Sequence, residues 1–358
     1  MRKRTWIFLS AVLAIAAAGL TVRLFQDRIG LTVFERAVGA RVGADGTAGL
    51  ADGLHVGLCG TGSPMPSADR AGACTVVIAG RRVFVVDAGE GGARNLQLMG
   101  ISPARIERLF LTHFHSDHID GLGPMALLRW TGASADTPLP VHGPTGVESV
   151  MAGFNAFYAT DNGYRVAHHG ANIVPPSGGG AAAVPFELGS NAGIVFDNGG
   201  VRVTAFTVDH DPVSPAVGYR FEYKGRSVVI SGDTAKSANL VAASKGADLL
   251  VHEALQPTMV SAMTKALDRA GQKNVAKITR DILDYHASPE EAADAAKAAG
   301  VRQLVLTHVV PPLPSAFFYP AFLQDAGKRF SGPIVVGEDG MLFSLPAGSD
   351  AIEQTDLL

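Results

Sequence analysis

The stretch from Leu111 to Leu122 constrains this 358-residue chain more than any other, because it holds three histidines and one aspartate within six residues. These residues are His113, His115, Asp117 and His118. The apolar run that precedes them is typical of a buried strand that ends in a loop. Four such groups without a metal would be costly to desolvate together. The stretch therefore predicts a metal site at a strand end.

The spacing inside this stretch favours two metal ions over one. His113 and His115 are two residues apart, so their side chains point the same way on extended backbone. Asp117 and His118 follow where the chain turns toward a helix. Two ions a few ångströms apart can then share one short loop.

The pattern His-x-His-x-Asp-His resembles the signature of the metallo-β-lactamase superfamily, and six further regions resemble its tRNase Z-like and arylsulfatase-like members in the same order along the chain. These regions are Gly60–Pro64, Val86–Gly89, His210 with Gly218–Arg220, Gly232–Thr234, His252–Ala254 with His286–Ser288, and Leu306–His308. The resemblance spans about residues 54–345. It implies an α/β fold of four layers, an αββα sandwich in which two mixed β-sheets pack face to face with helices outside.

The resemblance also implies which residues bind metal. One ion would be held by His113, His115 and His210, and the other by Asp117, His118 and His308, while Asp233 would bridge the two. Two Zn²⁺ ions suit this set, and Mn²⁺ or Fe would also fit the oxygen-rich second position.

Two residues outside the ligand set are expected to act with Asp117 in catalysis. By resemblance, a hydroxide between the ions attacks an ester, His286 gives a proton to the leaving group, and Glu253 orients the His286 ring. The alternative for His286 is that it only caps the helix that begins near Ser288. Asp87 is expected to support the ligand loop without touching metal.

The expected substrate follows from the low net charge and from the absence of a segment that tRNase Z enzymes carry. The tRNase Z enzymes carry a flexible arm between the motifs that correspond here to Arg220 and Gly232, whereas this chain has only a short hairpin there. A segment at 145–197 contains Arg165 as its only Lys or Arg, and the net charge is −3. We therefore expect a small anionic ester as substrate, such as a sulfate ester or phosphodiester, and nucleic acid as an unlikely partner.

Two other functions stay open. One is tRNA 3′-processing by an endoribonuclease, and the other is a non-catalytic metal-binding protein at a membrane surface. A basic stripe could contact polyanions, but its interleaved Asp268 and Asp281 are typical of a solvated helix face. The stripe consists of Lys265, Arg269, Lys273 and Lys277.

The N-terminus predicts a membrane segment. Met-Arg-Lys-Arg precedes an apolar run from Trp6 to Val22, so residues 1–24 are interpreted as an anchor or signal segment. An amphipathic segment and linker at 25–53 lead to a catalytic domain at 54–348, in which 145–197 is an irregular insertion. The catalytic domain is expected on the periplasmic side of a membrane, or exported. In an oxidising compartment Cys59 and Cys74 could pair, and in a reducing one they are small core residues.

Overall fold

The structure is a computed structural model that describes residues 2–189 and 191–358, and the chain divides into two compact units between Asp45 and Gly46. The N-terminal unit contains the helices α1 (Arg2–Leu24) and α2 (Gln26–Arg41). Within α1, residues Trp6–Leu24 are long and apolar enough to cross a membrane, and none of this stretch is buried. A signal sequence has the same properties, so the membrane anchor stays a prediction.

The larger unit is built on two mixed sheets. Among the described residues the first sheet has eight strands, which in spatial order are β15 (Glu353–Asp356), β14 (Met341–Pro346), β1 (Gly53–Gly60), β2 (Cys74–Ala79), β3 (Arg82–Val86), β4 (Ile106–Phe110), β5 (Leu139–Pro144) and β6 (Ala181–Phe186). Strands β3 to β6 run parallel to one another, and the other neighbours are antiparallel.

The second sheet mirrors this arrangement. Its seven described strands in spatial order are β13 (Ile334–Val336), β12 (Gln303–Val310), β11 (Leu249–Leu255), β10 (Arg226–Ile230), β9 (Val217–Tyr223), β8 (Val201–Thr207) and β7 (Ala192–Asn198). Strands β10 to β13 are parallel, and β7 to β10 are antiparallel.

The strand sequences alternate between two cores. In β3, Phe84 and Val86 face a core between the sheets, whereas Val83 and Val85 face the outer side of the first sheet. This is the two-residue period of a strand that is buried on both faces. The core between the sheets is rich in aromatic rings, with the centroid of Phe84 6.1 Å from that of Phe221 on the opposite sheet.

Helices cover both outer faces, which confirms the predicted αββα sandwich. Residues of α3 (Gly92–Leu98), α5 (Leu122–Ala133) and α6 (Val147–His169) pack on the first sheet. Residues of α7 (Ala238–Ala243), α10 (Pro289–Ala299), α11 (Tyr319–Leu323) and α12 (Ala326–Arg329) pack on the second. The remaining described α-helices are α4 (Ser116–Ile119), α8 (Pro257–Arg269) and α9 (Lys273–Asp281). At the start of α10, Ser288 and Glu291 form the capping box that their spacing predicts.

The segment 145–197 is more regular than we expected. It contains the 23-residue helix α6 together with strands β6 and β7, one at an edge of each sheet. Only Val147 and Met151 are buried in α6, so the helix lacks the apolar periodicity that would have revealed it. The folded unit also extends past the boundary expected at residue 348, because β15 pairs with β14.

Cys59 and Cys74 form a disulfide between the adjacent strands β1 and β2. Both residues are buried, and their Cα atoms are 5.0 Å apart. The sequence had left this pairing open because it does not give the distance between the two strands.

Candidate metal centre

The predicted site residues meet at the edge where strands from both sheets end. His113 follows the end of β4, His210 follows β8 and Asp233 follows β10. A backbone hydrogen bond joins the two sheets at this edge, with the Val217 N–H donating to the Thr112 carbonyl at 3.0 Å. The packing of the two sheets therefore brings together residues that are far apart in sequence.

Asp233 lies at the middle of the cluster. Four histidine ring nitrogens surround its Oδ2 atom, the Nε2 atoms of His118 at 3.4 Å, His308 at 3.4 Å, His113 at 3.8 Å and His210 at 3.9 Å. These distances exceed the roughly 2.7–3.2 Å of a hydrogen bond, so the nitrogens converge on the carboxylate without bonding to it. A carboxylate in this position has the geometry to bridge two ions.

The remaining ligands complete two groups. In each group the candidate ligand atoms lie within 4.8 Å of one another. The groups are His113, His115, His210 and Asp233, and Asp117, His118 and His308. The structure thus brings together all seven predicted ligands in the two sets that the family resemblance implied.

Hydrogen bonds fix the orientation of three of the histidine rings. The Nδ1 atom of His118 lies 2.9 Å from Asp87 Oδ2, and that of His210 lies 2.9 Å from the Tyr285 carbonyl. The Nδ1 atom of His113 lies 3.1 Å from the Thr112 hydroxyl, which itself donates to Asp87. Because Nδ1 donates in each case, the lone pair of Nε2 is left on the side of the cluster, as a metal ligand requires. The Nε2 atom of His113 also lies 2.9 Å from His115 Nδ1.

The residues fit divalent metal ions. The Nε2 atoms of His118 and His210 are buried, and neither has a hydrogen-bond partner among the described residues. Such orphaned nitrogens are costly unless something else binds them. A set of five imidazoles and two carboxylates is typical of zinc sites and of related transition-metal sites.

Electrostatics keep the carboxylate at the centre ionised. Burial disfavours the charge of Asp233, but the imidazoles of His308 and His118 hold its pKa well below the ordinary value. Burial, together with the neighbouring His118, keeps the pKa of His113 well below its usual range. Asp233 is therefore charged and His113 neutral, which are the states that bind metal. Burial disfavours the charge of His118, but Asp233 and Asp87 raise its pKa well above the usual value, so a metal ion would displace a proton from that ring.

A β-bulge and a glycine turn determine the backbone conformation at two of the ligands, His308 and Asp233. His308 is the extra residue of a β-bulge, since Glu253 and Ala254 on β11 pair with Thr307 and Val309 on either side of it, and its φ is 47°. Gly232 precedes Asp233 with a φ of 63°, and a Cβ there would lie 2.7 Å from the Val217 carbonyl oxygen. Glycine is required at that turn.

His286 and Glu253 lie beside the ligands. The Glu253 Oε1 atom is 3.1 Å from His286 Nδ1, and it accepts hydrogen bonds from the backbone N–H groups of Ala287 and Thr234. The His286 ring is 5.6 Å from that of His308. Burial opposes protonation of His286, but the charge and hydrogen bond of Glu253 raise its pKa to about 9. The same geometry would also let His286 bind an ion with Asp233 and His308.

A cavity of about 280 Å³ opens beside Asp117. The loop at 63–67 lines this cavity together with Ser116 and Asp120. Two cavities of about 440 and 420 Å³ lie instead around Arg226 at the start of β10, the end of the strand opposite the metal cluster.

Sequence reasoning missed two contributors to the site. Thr112 lies inside the metal-binding stretch, and a hydroxyl next to His113 was a usable signal. Tyr285 contributes its backbone carbonyl to His210, and its ring centroid lies 4.8 Å from that of His210. No side-chain pattern could have identified a carbonyl acceptor 75 residues away.

Comparisons with known proteins agree with this geometry. The profile of the family described as "Beta-lactamase superfamily domain" matches residues 82–309. A protein named Ribonuclease Z from Mycobacterium sp. (strain KMS) is 40% identical over 262 residues, which cover 73% of this chain and 85% of that protein.

Solved structures share the fold. The metallo-β-lactamase fold protein YhfI from Bacillus subtilis superposes with a TM-score of 0.59 at 19% identity, over 81% of this chain and 99% of YhfI. The short form of human tRNase Z gives a TM-score of 0.56 at 24% identity, over 82% of this chain and 99% of that structure.

These relatives correct one prediction and identify the family. The expectation that nucleic acid is an unlikely partner is wrong, because the sequence relatives are named ribonucleases. The low net charge gave the wrong expectation, since net charge averages over the surface and says nothing about one local patch.

The relatives also favour the ribonuclease Z alternative over the arylsulfatase-like interpretation. The chain belongs to the metallo-β-lactamase superfamily, as a metal-dependent hydrolase whose relatives include ribonuclease Z proteins.

Proposed function

We propose that this chain is a dinuclear-metal phosphodiesterase that cleaves RNA. The observation that carries the proposal is the 40% identity, over most of both chains, with a protein named Ribonuclease Z. The preformed cluster around Asp233 supports it from the structural side, because all seven expected ligands converge at one edge of the sandwich.

The ligand roles follow from the two groups in the cluster. We assign His113, His115 and His210 to one ion, Asp117, His118 and His308 to the other, and Asp233 to both. Zinc is our choice, because imidazole predominates. Two divalent ions, when bound, supply an activated water and stabilise the charge that develops at phosphorus. Among the seven assigned ligands only Asp117 and Asp233 are anionic, so the ligands leave a positive charge that favours an anionic substrate.

We assign to His286 the protonation of the leaving oxygen. Glu253 accepts from its Nδ1 atom at 3.1 Å and thereby orients the ring toward the cluster. Glu253 is itself fixed by two backbone N–H donors, so it acts as a positioning residue. We also assign to Asp117 a second role besides ligation, orienting the attacking water, because Asp117 lines the cavity beside the cluster.

A small anionic ester is the second candidate substrate, and one observation favours it. Strands β9 and β10 are joined only by the turn at Lys224 and Gly225, so the arm that tRNase Z enzymes carry at this point is absent. A cleft without that arm would also admit a small phosphodiester or sulfate ester.

One assay separates the two candidates. Purified full-length chain loaded with Zn²⁺ is given an RNA hairpin with a 3′ extension, bis(p-nitrophenyl) phosphate and an aryl sulfate, and a His113→Ala preparation controls for contaminating nucleases. We expect cleavage inside the RNA extension and hydrolysis of the diester. Turnover of a small ester with intact RNA would replace the proposal by the second candidate.

We also propose that α1 attaches the chain to a membrane, with the folded unit on the oxidising side. The exposed apolar length of Trp6–Leu24 and the disulfide between Cys59 and Cys74 support this placement. Cell fractionation followed by protease treatment of intact spheroplasts tests it. A folded unit protected from protease would contradict the placement.

A further inference from the structure

Helices α8 and α9 form a hairpin that lies, along the sequence, between Glu253 and His286, the two residues assigned to proton transfer. The hairpin, residues 257–281, is called the arm below, and it is a different element from the tRNase Z arm, which would lie between β9 and β10. In sequence it begins just after Glu253 and ends just before His286. At its base, Tyr285 packs with Val260 and Ile282 in a small apolar cluster. Because the Tyr285 ring also contacts His210, the base of the arm is a wall of the metal centre.

Two buried threonines hold the arm together. The Thr264 and Thr279 hydroxyls lie 2.8 Å apart, and Thr279 donates to the Ala276 carbonyl at 2.9 Å. Satisfied buried hydroxyls fix how the two helices face each other. The arm is therefore a preformed element with one defined interface between its helices.

This packing places the basic side chains on one face. Thr264 and Ala276 lie at the interface between the two helices. Lys265 follows Thr264 in α8 and Lys277 follows Ala276 in α9, so each is rotated by about 100° from the interface. Since the two helices are antiparallel, equal rotations away from the interface bring both side chains to the same side of the arm. The ion pair of Arg280 with Asp268, at 2.5 Å, bridges the helices on that side.

The arm differs in charge from the rest of the chain. It contains five Lys or Arg against two Asp, although the whole chain has a net charge of −3. Lys277 and Arg280 form exposed ion pairs with Asp281 and Asp268. The other three basic residues, Lys265, Arg269 and Lys273, are exposed and form no ion pair with any described residue.

Composition points to phosphate rather than base recognition. The arm contains no aromatic residue and no histidine on which a base could stack. Helix α8 has 13 residues and is therefore about 20 Å long, enough to follow several nucleotides away from the metals. By contrast, the 145–197 segment carries one arginine against four acidic residues.

We propose that the basic face of the arm binds the backbone phosphates of the RNA substrate, through Lys265, Arg269 and Lys273. This inference rests on the proposed function and names the surface that holds the substrate. Exposed lysine and arginine contacts to phosphate displace counterions, so the binding is salt-dependent and independent of sequence.

The test replaces Lys265, Arg269 and Lys273 together by Ala in the full-length chain. The matched control replaces two lysines and one arginine at the opposite end of the strands, Lys245, Lys297 and Arg81, which are also exposed. Binding of a fluorescent RNA hairpin with a 3′ extension is measured at several salt concentrations, and hydrolysis of RNA and of bis(p-nitrophenyl) phosphate is measured in parallel.

We expect the arm variant to bind RNA about 50-fold more weakly at 0.15 M salt, with the slope of log K against log salt reduced by about 2, since each phosphate contact to a single strand contributes about 0.7. Hydrolysis of the small diester should stay unchanged, and the control should match the wild type. If wild type cleaves RNA and the arm variant binds it equally well, the arm inference fails while the proposed function stands. If wild type neither binds nor cleaves RNA, both fail.

Discussion

The two sheets supply the candidate metal centre in different ways. The first sheet provides its ligands from one stretch after β4, where His113, His115, Asp117 and His118 lie within six residues. The second sheet provides its ligands from three separate strands: His210 and Asp233 follow β8 and β10, and His308 lies at a bulge within β12. The first half is therefore organised locally, whereas the second exists only when the strands of the second sheet are in register. Asp233 is the residue on which both halves converge.

The largest loss of activity is expected on substitution of Asp233, on which the ligands from both sheets converge. Asp233→Asn keeps the size of the side chain but removes a negative charge and a ligand oxygen, so both ions lose a shared partner. Activity should fall about 10³-fold or more, because the metals position and activate the nucleophile. Metal content is measured by mass spectrometry beside turnover, with the exposed Asp136→Asn as control. Two tightly bound ions together with normal turnover would mean that the ligands of the two sheets bind metal without the Asp233 carboxylate.

A smaller and more selective effect is expected at His286, which belongs to the second-sheet half. His286→Ala removes the proton donor, so hydrolysis of diesters with poor leaving groups should fall by about 10²- to 10⁴-fold, while activated aryl diesters are affected much less. Glu253→Gln should show the same pattern more weakly, because Glu253 acts through His286. Equal losses on both classes of substrate would assign His286 to metal binding with Asp233 and His308 instead.

The smallest effect is expected at Asp87, which supports the first-sheet half from outside. Asp87 has a φ of 59°, which asparagine tolerates well, so Asp87→Asn leaves the backbone intact. It weakens the acceptor for the His118 Nδ1 atom, and metal affinity at that position should fall about 10- to 100-fold. Activity against metal concentration measures this, and excess metal should restore turnover. A loss that metal does not rescue would mean that Asp87 acts on the substrate.

Much of the site could be predicted because strand ends are visible in sequence. Each ligand follows a β-rich run, and the fold and the superfamily inferred from those motifs are confirmed. Helix α10 was equally visible, because its capping box and terminal Gly300 are local signals. Helix α6 was not, because a helix that buries only Val147 and Met151 shows little periodicity.

The expectation that nucleic acid is an unlikely partner was wrong for a related reason. Lys265 and Lys277 appeared in sequence as parts of a stripe interleaved with acidic residues, which is typical of a solvated face. In the structure, Asp268 pairs with Arg280 and Asp281 with Lys277. The other three basic side chains of the hairpin, Lys265, Arg269 and Lys273, have no acidic partner among the described residues. Pairing across a helical hairpin depends on the interface between its helices, and a linear pattern does not specify that interface.

The sequence by itself determined which residue types are available as ligands of the candidate metal centre and that they follow strands, because ligand type and alternation are local properties of the chain. Only the tertiary structure decided which ring nitrogen of four of the histidines faces Asp233, how the bulge at His308 places its ring at the cluster, and that Cys59 lies next to Cys74. These features depend on contacts between segments distant in sequence, such as His210 with the Tyr285 carbonyl. Such contacts form only when the two sheets pack together.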